Sequence, residues 1–347
     1  MNLKKIAITV VMLGLLAFAY FSYYVYSVML VPNTAFNGKE ALIFIPPGAS
    51  YDEVRADLEP LLIDIDKFDV LAKQKKYIFN IKSGRYRITN GMTNNDIINS
   101  IRSQNIPIKL TFNNQNNLPQ LAKRISNQIE PDSLSLIQTF LDEDFLKENG
   151  FTTETALAMY LPNSYEFFWN TSAEKFKQKM LQSYRRFWNN ERQEKAQKIG
   201  LTPIEVSVLA AIVQEESKQK SEQPRVAGVY INRLNSGWAL QADPTLKFAA
   251  YQRPEYKNKI IKRVLNKHKA IKSPYNTYLN KGLPPGLIAM PDLSAIEAVL
   301  EYEPHDFFYF AADPQQPGFH KFAKTLSEHN NNARSYQKYL NNKGVLE

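Results

Sequence analysis

The chain has 347 residues, 44% of them hydrophobic, and a formal net charge of +9. That composition fits a folded chain long enough for a membrane anchor and two globular parts, and it excludes a disordered protein. The lack of cysteine excludes a disulfide framework, a thiolate metal site and a cysteine nucleophile; with four histidines and no HExxH-type pair, no metal and no cofactor are expected.

After Lys4 and Lys5 the chain runs from Ile6 to Val31 without a charged residue. At 1.5 Å per residue that run is enough to cross a hydrocarbon core of ~30 Å. Ala17-Phe18-Ala19 imitates a signal-peptidase site, but the apolar run continues well past it, where a cleaved signal turns polar. The expectation is therefore an uncleaved anchor over residues 1–32. Its lysines hold the N-terminus in the cytoplasm, and Tyr20, Tyr23, Tyr24 and Tyr26 suit the far interface. Everything beyond about residue 32 then lies outside the plasma (inner) membrane. There the positive charge meets anionic lipid or wall polymer, and no nucleic acid is expected as a partner.

A polar link, "PNTAFNGKEA", leads to a short strand, Leu42 to Ile45, stopped by Pro46 and Pro47. Ser50 with Glu53 three residues on makes a capping box for a helix carrying Val54, Leu58, Leu61 and Leu62. Tyr86 and Ile88 alternate as in a strand, Asn90-Gly91 turns, and Thr93 to Ser103 forms a helix with Ile97, Ile98 and Ile101 inward. "IKLTF", Ile108 to Phe112, closes a small α+β module over residues 33–112. By itself this pattern gives no function.

Residues 113–199 are mostly helical by period and are expected to form a connecting region packed on residues 200–347. "MYLPNSYEFFWNTS" interrupts them, with Pro162-Asn163-Ser164 as a turn between aromatics that read as core rather than as sugar-stacking faces. No period of 20 to 50 residues marks a repeat.

Residues 200–347 carry the chemistry. Thr202 is an N-cap, Pro203 stands at the first helical position and Glu205 at the third. The helix dives into the core through Val206, Leu209, Ile212 and Val213, then meets Glu215 and Glu216. Glu216 continues the face of Leu209, Ile212 and Val213, Glu215 that of Val208 and Ala211, and periodicity does not decide between them. An ordinary Glu-Glu pair is solvated. A carboxyl held against apolar walls instead has its pKa raised and can donate a proton near neutrality, as glycoside cleavage requires. A second helix, Pro224 to Asn235, with Val226, Val229, Tyr230 and Leu234 inward, stops at Gly237 before a polar loop of Gln241, Asp243, Pro244 and Thr245. Further loops dense in Asn, Thr, Tyr and Pro are what a site for a polyhydroxylated substrate would use.

Five separated segments, "IVQEES", "VAGVYINRLNSGWALQADPT", "SPYNTY", "GLPPGLIAMP" and "FFYFAAD…GFHKFAKTLSEHN", resemble in order the signatures of the MltG-type (YceG-like) endolytic murein transglycosylases. "IKSGRYRITNGMTNNDII" resembles that family's LysM-like module, and the single N-terminal anchor matches its architecture. The fold implied is α+β: one transmembrane helix, a small LysM-like α+β module and a mixed α/β catalytic domain.

The family's catalytic glutamate, in a Glu-x-Glu-Thr/Ser context, falls on Glu216, and the first glutamate of that context is Gln214 here. This departure supports Glu216 as the one essential carboxyl. A second departure, Pro162-Asn163-Ser164-Tyr165 in place of Pro-Asp-Thr-Tyr, puts a carboxylate role at that turn in doubt. The resemblance implies cleavage between N-acetylmuramic acid and N-acetylglucosamine within nascent peptidoglycan strands to 1,6-anhydro ends, terminating elongation, with peptidoglycan synthases as further partners. Asn232, Gln241, Asp243, Thr245, Tyr275, Asn276 and Tyr278 are candidates for positioning the sugar or Glu216, each with a structural reading beside it as a cap, turn or packing residue. His320, a lone histidine, reads as structural.

Two rival readings are a hydrolase in which Asp243 activates water and a membrane-anchored glycan-binding scaffold with inert glutamates. The basic run Arg253 to Lys272 reads as a solvated insertion.

Overall fold

The computed structural model describes residues 3–256, 259–261 and 264–342. Lys257, Lys262 and Arg263 of the basic run therefore lie outside the described residues. The chain divides into two compact units, the first of Met1–Leu110, Asn127–Pro131 and Tyr165–Ser172, the second of Thr111–Ser126, Asp132–Ser164 and Ala173–Glu347. Architecture is mixed α+β throughout, with many helices and, among the described residues, only two-stranded sheets.

The first unit opens with helix α1, Leu3–Met29, 27 residues long and apolar enough to cross a membrane. It is consistent with a single-pass inner-membrane protein. Strand β1, Glu40–Ile45, is followed by helices α2, Tyr51–Leu58, and α3, Ile65–Gln74, and by strand β2, Gly84–Thr89. The strands pair antiparallel with Ile43 opposite Tyr86, and helix α4, Asn94–Ser103, comes next. The expected capping box, Ser50 with Glu53, is present, and Thr93 with Asp96 makes a second one. Inward faces of these elements, including Ile43, Val54, Phe68, Tyr86, Ile97 and Ile98, make one core.

The link after α1 departs from its polar appearance. Asn33 is buried, its amide group donating to the Asp64 carbonyl at 2.8 Å and to Asn94 Oδ1 at 2.6 Å, while Asn94 Nδ2 donates to the Val28 carbonyl at 2.8 Å. Thr34 Oγ1 accepts from the Gly91 N–H at 2.8 Å. A segment folded into a core must find partners for its polar groups, and these asparagines and the threonine supply them.

Strand β3, Pro107–Phe112, pairs with β4, Asn163–Phe168. Asn163 and Ser164 thus begin a strand where the sequence suggests a turn, because β3 offers a free edge and Tyr165 and Phe167 alternate out of the pleat. Between them lie helices α5, Leu118–Ser126, α6, Ser133–Phe140, and α7, Glu143–Glu148.

The rest of the second unit is mainly helical: α8, Ala173–Phe187; α9, Asn190–Ile199; α10, Pro203–Glu216; α11, Gln223–Asn235; α12, Asp243–Tyr251; α13, Asn266–Lys269; α14, Leu293–Leu300; and α15, Leu326–Asn342. An antiparallel hairpin, β5, Tyr309–Ala312, with β6, His320–Ala323, precedes α15. Helix α10 packs against α11, α12 and α14. Gly228 lets α11 approach the chain before the hairpin, since a Cβ there would stand 2.5 Å from the Glu303 carbonyl oxygen.

Candidate active site

Helix α10 starts as its sequence dictates. Thr202 and Glu205 exchange hydrogen bonds in a capping box, the Glu205 carboxylate accepting from the Thr202 N–H at 2.8 Å, and Pro203 fills the first turn. Every residue from Val206 to Gln214 is buried. A helix with no polar face is stable only when neighbours cover all sides, and α11, α12 and α14 do so.

Gln214, at the buried end, donates Nε2 to the Met290 carbonyl at 3.3 Å and accepts from the Asp292 N–H at 2.6 Å. An amide can do both, whereas a carboxylate would lose the first bond. The two glutamates then diverge. Glu215 turns to Lys218, 2.7 Å away at the surface. Glu216 is half-buried, and its Oε1 accepts from the Tyr230 hydroxyl at 2.9 Å. The Asp243 backbone N–H, at the start of α12, also bonds its carboxylate.

The Glu216 pKa is raised to about 7, chiefly by burial and further by the negative charge of Asp243. The bonds from Tyr230 and the Asp243 N–H, together with the charge of His320 when it is protonated, oppose that rise. Both protonation states are therefore accessible near neutral pH, as alternating acid and base work requires. Tyr230, inside α11, is itself buried, and burial together with Glu216 pushes its phenol far up, so it stays a donor.

The sequence-predicted residues separate into two groups. Asp243 and Tyr278 come together beside Glu216, the Tyr278 hydroxyl donating to Asp243 Oδ1 at 2.7 Å. Burial first, then Asp243, keeps the Tyr278 phenol protonated. The others hold loops. Thr245 is buried, its Oγ1 donating to the Ala242 carbonyl at 2.7 Å, and Asn276 donates to the Ile271 carbonyl at 2.7 Å and accepts from the Tyr278 N–H at 2.9 Å. Asn232 Nδ2 donates to the carbonyls of His305 at 2.7 Å and Phe307 at 3.0 Å, fixing the approach to β5. Tyr275 is buried against Phe248, ring centres 4.6 Å apart. Gln241 is exposed at φ 50°, its N–H bonded to the Thr277 carbonyl. Asp243 to Thr245, expected in a loop, open α12 instead, because Pro244 fits the first helical turn.

Two further groups were not singled out by sequence reasoning: Tyr230, read only as an inward-facing residue of its helix, and a Glu222–His320 pair. The inward period places Tyr230 correctly, but no local signal gives its hydroxyl a partner on another helix.

Next to Glu215 and Pro244 opens a cleft of about 610 Å³, edged by the amides of Asn116, Asn117 and Gln120 and by Phe248 and Tyr251. Amides beside aromatic faces suit a sugar chain, whose rings offer hydroxyls at the rim and apolar C–H faces. Another cleft, of about 530 Å³, lies at the opposite end of α10, where Glu205 is engaged in the capping box. Among the described residues no three His, Asp or Glu side chains converge as a metal site would need.

The chain is similar to known proteins over most of its length. The profile of the YceG-like family matches residues 43–335. An endolytic murein transglycosylase of Bacillus subtilis (strain 168) is 30% identical over 329 residues, covering 87% of this chain and 85% of that protein. Endolytic murein transglycosylases of Streptococcus pneumoniae strains D39 and R6 are 26% identical over 347 residues, and the match spans 62% of their length. A crystal structure of a YceG-like protein from Listeria monocytogenes superposes with a TM-score of 0.56 at 25% identity, over 84% of this chain and 98% of that one.

Proposed function

The chain belongs to the YceG-like family, and from that premise we propose that it is a lytic transglycosylase that cuts peptidoglycan strands from within, with Glu216 as its acid and base. The observation that carries this reading is the Glu216 carboxyl, half-buried at the end of a helix whose residues Val206 to Gln214 are all buried, bonded to Tyr230 and with its pKa raised to about 7 by burial. Protonated Glu216 donates its proton to the glycosidic oxygen as the bond from C1 of N-acetylmuramic acid to that oxygen breaks. The muramic C6 hydroxyl then attacks C1 and its proton passes to the Glu216 carboxylate, which restores the acid and leaves a 1,6-anhydro end without consuming water. Asp243 assists by raising the Glu216 pKa, and Tyr278 by fixing Asp243.

In the same reading a LysM-like module spans residues 33–112, residues 113–199 connect it to the catalytic part, residues 200–347, and Asn232, Gln241, Thr245, Tyr275 and Asn276 shape the substrate loops. Helix α1 keeps the N-terminus cytoplasmic and the catalytic part outside the inner membrane, where peptidoglycan synthases are its expected partners.

The test is mass analysis of products from uncrosslinked glycan strands incubated with the full chain in detergent, beside Glu216→Gln. Anhydro-muramic ends from the native chain, reduced about 10²–10⁴-fold in the variant, are expected. Reducing ends in their place would sink the transglycosylase reading in favour of a hydrolase.

A further inference from the structure

Beside the acid stands a buried carboxylate–imidazole pair to which the glycan-cleaving scheme gives no task. Glu222, just ahead of α11, is buried, and its carboxylate takes the His320 backbone N–H at 2.7 Å, His320 Nδ1 at 2.8 Å and the Ser217 hydroxyl at 2.9 Å. Ser217 directly follows Glu216 and caps α10. Burial pushes the Glu222 pKa up, but the His320 side chain and backbone and Ser217 outweigh it and hold the carboxyl below its ordinary value. An ionised carboxylate against Nδ1 requires the proton on that nitrogen, so that whenever the imidazole is neutral its Nε2 is an acceptor.

Nothing in the protein takes that acceptor: among the described residues Nε2 has no hydrogen-bond partner, nor is it among the buried unpaired atoms. The His320 side chain keeps 16% of its surface exposed. Its ring stands edge-on to Phe310 at 5.1 Å, Phe310 meets Tyr230 at 5.9 Å, and the Tyr230 hydroxyl bonds Glu216. The imidazole is near enough that, when protonated, its charge lowers the Glu216 pKa. Tying the hairpin β5–β6 to the chain after α10 needs only the His320 backbone N–H and the Ser217 hydroxyl. An imidazole with a free nitrogen exceeds that need.

We propose that His320 contacts the substrate: Glu222 fixes its Nδ1–H tautomer so that Nε2 accepts a hydrogen bond from an O–H or acetamido N–H of the sugar that Glu216 protonates. The proposal rests on the glycan-cleaving reading. Glu222 then acts through His320 as a positioning residue, in the way that a carboxylate orients an imidazole elsewhere in enzyme chemistry.

Two substitutions separate this role from a structural one. In His320→Asn the shorter amide can still donate to Glu222 but has no group at the Nε2 position; in His320→Gln the amide oxygen reaches that position. If His320 positions the sugar, His320→Asn keeps the native Tm yet loses on the order of 10²-fold in kcat with KM little changed, and His320→Gln recovers most of the loss. Native kcat in His320→Asn overturns the proposal. A second readout needs no change at His320. In a Glu216→Gln full chain, uncleaved glycan strands should move the ¹⁵N resonance of His320 Nε2, and an unmoved resonance at saturating glycan overturns the proposal even if His320→Asn fails to fold. Failure of the underlying reading looks different: Glu216→Gln itself would then cut glycan at the native rate.

Discussion

Helix α4 of the first unit and helix α10 of the second both start from a threonine N-cap with an acidic residue three positions on, yet their surroundings differ. Helix α4 buries Ile97, Ile98 and Ile101 on one side and leaves Asp96, Asn99 and Arg102 to solvent. Helix α10 buries nine consecutive residues, Val206 to Gln214, and beyond its capped first turn surfaces only at Glu215 and Glu216. An amphipathic helix completes a core. A helix buried all round completes nothing by its sides, and its value lies in what its end carries: a rigid mount that holds one carboxyl between Tyr230 and the start of α12.

The largest effects should come from the mount. Leu209→Ala removes a fully buried side chain from α10 and is expected to destabilise by about 2–5 kcal/mol. Arg102→Ala on the exposed side of α4 should stay within about 0.5 kcal/mol. Denaturant titration of both checks the contrast, and a Leu209→Ala cost below about 1 kcal/mol breaks it. Next in size are shifts of the pH–rate profile, whose basic limb in kcat/KM reports loss of the Glu216 proton. Tyr230→Phe removes a donor that favours the carboxylate, so the pKa rises above about 7 and the limb moves to higher pH. Asp243→Asn removes the charge that disfavours the carboxylate, so the limb moves to lower pH. Both limbs moving the same way would mean that another group sets the profile. The caps come third: Thr93→Ala and Thr202→Ala should each cost about 1 kcal/mol, because the start of a helix is the one place where α4 and α10 are built alike.

Legibility in the sequence divides along the same line. Helix starts at Ser50 and Thr202 and the inward faces of α4 and α10 are local, and they read directly from residue type and spacing. Much of the site is not local. Glu216 meets Tyr230 fourteen positions on, Asp243 meets Tyr278 thirty-five positions on, and Glu222 meets His320 ninety-eight positions on. Neither helical nor strand period reaches that far, so Tyr230 reads as a packing residue and His320 as a lone histidine. The link after α1 misleads for a related reason: Asn33 and Thr34 look solvated one by one, and only bonds to distant partners, Asn94 for the one and the Gly91 N–H for the other, allow their burial.

The smallest expected effect lies one residue from the acid. Glu215 is partly exposed and pairs with Lys218 at the surface, where such pairs contribute about 0–1 kcal/mol. Glu215→Gln should therefore change stability little and should not move the basic limb. Glu216→Gln behaves otherwise, because the folded-state pKa of about 7 stands above the ordinary value of 4.5. The protonated carboxyl keeps its full contribution to stability below the unfolded value, and that contribution is lost as pH rises through the folded one. A glutamine never ionises, so Glu216→Gln should raise Tm above the parent at pH 8 and match it at pH 4, while Glu215→Gln follows the parent at both. An equal pH-dependent gain in the two variants would mean that the end of α10 does not distinguish its carboxyls; a gain confined to Glu216 would show a helix that gives up stability at the one position where it needs a proton near neutral pH.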